Sequence, residues 1–166
     1  MTDLTLQIRR CAKINSAVFD IVYADMCEND DVRNIHAIVL ASCADKAGEM
    51  KLSPWVPAPL VDHVHQDEHL WYVNLSLTPA AMKYFIHTNE QISFECRIGG
   101  VVTQVEFPTD QLIHLNGLNG KELIDTHAFQ YLMREESEFY PDEPTPEPEN
   151  VTPIRKRPTL SVVKND

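Results

Sequence analysis

The sequence predicts a mainly β domain introduced by one N-terminal α-helix and closed as a small barrel or sandwich. Three observations carry that prediction. Alternating apolar positions flank the pair Gly99-Gly100, the mark of a tight β-hairpin. Ile14, Val18, Ile21 and Val22 repeat with helical spacing near the N-terminus. After Met133 the composition breaks, and the chain becomes acidic and proline-rich.

The helix is expected over residues 13–28. Phe19, Tyr23 and Met26 widen its apolar stripe onto a neighbouring face. That coverage is broad for a helix with one buried side, so a second contact, with another copy of the chain, is expected. The polar cluster at 28–31 ends it. Residues 35–42 are rich in β-branched and aliphatic side chains and read as a strand. Pro54, Pro57 and Pro59 interrupt the next segment. Residues 70–77 read as a strong strand, with Trp71, Val73, Leu75 and Leu77 on one face. Thr78 and Pro79 open a short helical turn over 79–85. Ile92, Phe94, Cys96 and Ile98 alternate with Ser93, Glu95 and Arg97, and Val101, Thr103, Val105 and Phe107 alternate on the return strand. A turn or short helix is expected over 110–115. One helix and about five short antiparallel strands make the barrel or sandwich.

Apolar residues are 43% of the 166, enough for a core, and the formal charge is −11 from 25 acids and 14 bases. A nucleic-acid surface needs a basic footprint, so nucleic acid is not an expected partner. No run of apolar residues is long enough to span a membrane, and the N-terminus lacks the apolar core of a signal peptide. Cys11, Cys27, Cys43 and Cys96 form no C-x-x-C pair. They read as reduced thiols in a cytoplasmic protein.

Residues 1–133 are expected to carry the fold. Residues 134–156 read as a disordered linker, and residues 157–166 as a separate terminal motif. Between 135 and 149 there are seven acids and no base, and six of the eleven prolines lie between 141 and 158. Such a stretch cannot bury enough apolar surface to offset its ordering entropy. The chain then turns basic and apolar, from Arg155-Lys156-Arg157 to Leu160, Val162 and Val163. Apolar residues at the end of a solvated tether read as a linear motif for a partner.

The one cluster with metal-ligand character is His63, His65 and His69, with Asp67 and Glu68. It is close to the H-x-H-x-D-H zinc signature, but Glu68 shifts the register by one residue. A metal-dependent enzyme built on these three histidines is therefore an alternative reading. No nucleophile elbow, P-loop or dinucleotide motif occurs. The remaining features describe a non-enzymatic binding module with an appended peptide, for which no cofactor is expected.

Three motifs together resemble a known family. Tyr72-Val-Asn-Leu-Ser76, Ile92-Ser-Phe-Glu-Cys-Arg-Ile-Gly-Gly100 and Val102-Thr-Gln-Val-Glu-Phe-Pro108 are similar to the body of the SspB family, adaptors of the ClpXP protease. The ending Arg157-Pro-Thr-Leu-Ser-Val-Val-Lys164 is similar to that family's terminal Arg-Pro-x-Leu-x-Val-Val-Lys. The resemblance implies an Sm-like β-fold and a homodimer formed through the first helix, here at Val18, Ile21 and Val22. It implies a groove for ssrA-type degradation tags, which this sequence would line with Tyr72, Asn74, Phe94, Cys96, Ile98 and Gln104. Cys96 stands where the family has a small groove residue. It also implies that Arg157, Pro158, Leu160, Val162, Val163 and Lys164 dock on the N-terminal domain of ClpX. Tethering raises the local concentration of ssrA-tagged proteins at the protease, so the adaptor does no bond chemistry. An Sm-like module serving another partner is the remaining alternative.

Overall fold

The computed structural model describes residues 3–139. The terminal motif at 157–166 and most of the linker lie outside the described residues. The fold is mainly β with an N-terminal helix, α1, over Asp3–Glu28. Ten strands follow. β1 is Asn34–Leu40, β2 Ser42–Ala44, β3 Met50–Leu52, β4 His65–Gln66 and β5 Trp71–Ser76. β6 is Lys83–His87, β7 Gln91–Ile98, β8 Val101–Pro108, β9 Leu112–Asn119 and β10 Glu122–Ala128. They form a five-stranded sheet ordered β10-β9-β1-β5-β4, a three-stranded sheet ordered β6-β7-β8 and the pair β2-β3. The sheets stay open, so of the two expected architectures the closed barrel is not realised.

One core joins the two larger sheets and the helix. Val39, Val73, Leu75, Leu77, Leu112 and Leu115 enter it from the five-stranded sheet. Ile92, Phe94, Val105 and Phe107 enter from the other, and Phe19 and Met26 from α1. Each such side chain, fully buried, stabilises the fold by roughly 1.5–3 kcal/mol. The alternation expected for residues 71–77 and for the 92–107 hairpin is the alternation observed.

Helix α1 is longer than residues 13–28, and its core face differs from the expected stripe. Ile8, Ala12, Asn15, Ser16, Phe19 and Met26 are buried. Two of these are polar, and both are satisfied. Asn15 Nδ2 donates to the carbonyls of Thr109 (2.9 Å) and Gln130 (2.7 Å). Thr109 Oγ1 donates to Ala12 O at 2.8 Å, which leaves Ser16 as donor in the 2.8 Å hydroxyl pair with Thr109. This polar pin locks α1 to the turn before β9.

Three expected elements are corrected. The region 79–85 is a single 3-10 turn, Pro79–Ala81, followed by edge strand β6. The turn or short helix expected over 110–115 is the 3-10 turn Thr109–Gln111, shorter than expected, and β9 starts at Leu112. A bulge against Ile38 and Val39 turns both Leu112 and Leu115 inward, a three-residue spacing that imitates a helix. The boundary at 133 also moves. Arg134–Phe139 pack on the body instead of starting the linker: Arg134 pairs with buried Asp110, Glu135 bridges Ala44 and Lys51 reaches Glu136 at 2.6 Å.

Candidate functional site

The β7–β8 hairpin is the best-defined local structure shared with the motifs above. Gly99 and Gly100 adopt φ of 57° and 83°, the mirror-image turn that matches strand twist and that L side chains resist. A two-residue turn makes Ile98 and Val101 a pair that exchange both backbone bonds. Antiparallel alternation then directs the N–H and C=O groups of Thr103, Val105 and Phe107 to β7. Those of Val102, Gln104 and Glu106 point the other way, and among the described residues no strand pairs with that edge.

At the turn end of the hairpin lies a shallow cleft of about 300 Å³ lined by Asp62, His63, Val64, His65 and Asn74. His63 Nε2 stands beside Gly99, 3.9 Å from where a Cβ would project. His65 stacks on the Tyr72 ring, with centroids 4.9 Å apart. The pairing of β4 with β5 makes this contact, because it places His65 opposite Tyr72. The histidines thus belong to the cleft beside Tyr72 and Asn74, which spacing alone did not show.

The six expected groove residues do not share one surface. Tyr72 and Asn74 lie on the outer face of β5, opposite to core residues Val73 and Leu75. Phe94, Cys96 and Ile98 face inward from β7. Phe94 is wholly buried, whereas Cys96 and Ile98 are half-buried at the margin of the core. Gln104 lies across from Glu95 on the outer face of the three-stranded sheet, away from Cys96. Burial first, then the neighbouring Glu95 carboxylate, push the Cys96 thiol up, so it stays protonated at neutral pH and packs as a small apolar group.

The three histidines do not converge on a metal. The His69 side chain is 84% exposed on the turn before β5, near Glu68, and its backbone N–H donates to Asp67 Oδ1. Among the described residues no group of three or more His, Cys, Asp or Glu side chains is placed to hold a metal ion. The intervening Glu68 and the short β4–β5 turn carry His69 away from the other two.

The expected dimer residues divide. Val18 and Val22 are half-buried and pack against the core, but Ile21 is 65% exposed. The outward face of α1 is instead Ile14, Ala17, Ile21 and Ala24, at i, i+3, i+7 and i+10. This is a two-heptad seam of alternating large and small residues. Beside Ile14 opens a larger cleft of about 590 Å³ between α1 and residues 129–132, with Arg10 and Tyr131 on its walls. Cys11 closes its floor, donating to Gln130 O at 3.1 Å. Burial, with the Asp110 carboxylate next, pushes its thiol up to about 11, so it is not a thiolate nucleophile.

The chain matches no protein-family model and no curated protein. No helix among the described residues is long and apolar enough to cross a membrane.

Proposed function

We propose that this protein is a non-enzymatic proteolysis adaptor of the SspB type. Its β-domain, read as Sm-like, holds an extended ssrA-type tag, and its terminal peptide tethers the cargo to the ClpX N-terminal domain. The open edge of β8 carries the reading. It offers three outward backbone pairs, at Val102, Gln104 and Glu106, in the spacing that an added strand requires. Side-chain selectivity comes from what lies at its turn end, the cleft of His63, His65 and Asn74 and the half-buried Cys96 and Ile98. The exposed seam Ile14, Ala17, Ile21 and Ala24 takes the same seam of a second copy, giving a homodimer with two tethers.

Fluorescence anisotropy of a labelled ssrA-tag peptide with the full chain tests this, with a scrambled peptide as control. Saturable binding of the tag alone is expected. Equal affinity for both peptides, or for neither, overturns the reading.

A further inference from the structure

An unpaired edge strand is a template for an extended segment, and what it accepts depends on the side chains beside it. The β8 edge is open to one. No proline interrupts it before Pro108, no lysine sits on it, and Val102 near its turn end is 52% exposed. Residues opposite each other in an antiparallel sheet project to the same face, so the outer face of the three-stranded sheet divides into rows that cross the strands. Ile86, Ser93 and Glu106 form one row, and Lys83, Glu95 and Gln104 the next. Arg97 and Val102 form the row nearest the turn. A strand added to β8 extends all three.

The rows differ in charge from one end of the edge to the other. Arg97 is the base at the turn end, where its Nη1 donates to Gly100 O at 3.1 Å. Glu106 and Glu90 stand at the far end, Glu90 held beside Thr109, whose N–H donates to Glu90 O at 2.9 Å. Lys83 lies opposite Glu95, one row nearer the turn. Glu106 is exposed and has no ion pair among the described residues. Its charge is therefore free for whatever pairs with the edge.

We propose that β8 takes a second class of cargo beside ssrA-type tags: extended segments, antiparallel to β8, with a lysine or arginine opposite Glu106 and a β-branched residue four positions later opposite Val102. The proposal rests on the reading that this edge takes extended peptides. Antiparallel pairing is the more stable per residue, and it fixes the order of the segment. The base comes first, a polar residue follows opposite Gln104, and the apolar residue comes last. Each then faces a side chain that suits it: a carboxylate, an amide and an exposed valine. The base serves as the selective position, because opposite charges across a strand pair attract and like charges repel. An acid there meets Glu106 with Glu90 close behind. The second and fourth residues turn to the inner side beside Thr103 and Val105, both buried, which suits small uncharged side chains.

Fluorescence anisotropy on the full chain tests this with two labelled peptides, capped at both ends. One is Thr-Lys-Thr-Ser-Thr-Val-Thr, and the other has Glu in place of Lys. The lysine peptide is expected to bind about fivefold tighter, the swing from an attractive to a repulsive cross-strand pair. Glu106→Gln is expected to erase the preference and Glu106→Lys to reverse it; the position is exposed, so both variants keep the fold. Amide exchange locates the contact. The lysine peptide is expected to slow Val102, Gln104 and Glu106 and to leave Thr103 and Val105, already bonded to β7, unchanged. Equal affinity for the two peptides, the same preference in wild type and Glu106→Lys, or protection elsewhere on the body overturns the proposal. The ssrA-tag peptide, measured beside them, separates the two readings. Tag binding with no binding of the lysine peptide overturns this proposal and leaves the adaptor reading standing. The lysine preference with no tag binding supports the edge chemistry and removes the ssrA tag as cargo.

Discussion

Replacing Arg134 with alanine tests how the tether is rooted. Asp110 is wholly buried, and its carboxylate receives Arg134 Nε at 2.9 Å and Nη2 at 2.7 Å, in a two-pronged pair, with Gln111 Nε2 at 2.7 Å. The Arg134 side chain is itself only 13% exposed. The variant strips the carboxylate of its counter-charge and of two of its three donors, leaving a buried anion held by one amide. Loss of one partner from such a pair costs about 3–5 kcal/mol. With a urea slope of about 2 kcal/mol/M, the unfolding midpoint drops by roughly 1.5–2.5 M. Arg134 also donates to Glu138 O at 3.0 Å and lies over the Phe139 ring, so part of the loss belongs to the strap itself. The double variant Asp110→Leu/Arg134→Met separates the two, since it removes the stranded charge and recovers most of the stability. Urea unfolding followed by circular dichroism reads all three proteins. A midpoint shift below about 0.5 M for Arg134→Ala would refute the assignment of the pair as a buried lock.

Gly117→Ala puts a Cβ 2.9 Å from a Val32 methyl carbon and 3.5 Å from the Met26 sulfur. The overpacking costs about 1–3 kcal/mol, and the thermal midpoint falls by several degrees; an unchanged midpoint means that Val32 moves aside freely. Ile14→Glu/Ile21→Glu charges the outward seam of α1, where both side chains are more than half exposed. The expected outcome is a halved mass in sedimentation with helicity unchanged, and a mass equal to that of wild type removes the seam as the contact between copies.

The parts of the fold that obey a simple period were legible. The β7–β8 hairpin and β5 alternate strictly because each has one face in the core, and two adjacent glycines leave little choice of turn. The failures have local causes. Leu112 and Leu115 are both buried through a bulge, which breaks the two-residue period where β9 begins. The core face of α1 was misassigned because it passes through Asn15 and Ser16, polar residues whose partners at Thr109 and Gln130 lie more than 90 positions away in sequence, and residues 3–12 carry only Ile8 and Ala12 on that face. The apolar stripe Ile14, Val18, Ile21 and Val22 is real but runs along the flank and outer face of the helix. Of the expected groove residues, Tyr72 and Asn74 share the outer face of β5, and their proximity to His63 and His65 depends on the β4–β5 pairing. Among the described residues the three histidines form no group placed to hold a metal ion, which their spacing in sequence does not reveal.

The acidic composition after Met133 concealed where the body ends. Arg134 is the one base in a run of acids, and its partner Asp110 lies 24 positions back, so neither charge pattern nor proline content identifies it. Its position has a mechanical consequence for any tether attached beyond Phe139. Ala44 N–H donates to Arg134 O at 3.0 Å, Lys51 holds Glu136, Thr5 donates to Glu138, and Asp110 grips the guanidinium. Load on the tail therefore enters through β2, β3, the first turn of α1 and the turn before β9. It meets Glu138 first, then Glu136, and the buried Arg134–Asp110 pair last. The β7–β8 hairpin, where the open edge lies, takes no part in them. Tension beyond Phe139 is therefore borne by contacts that leave the β7–β8 ladder untouched.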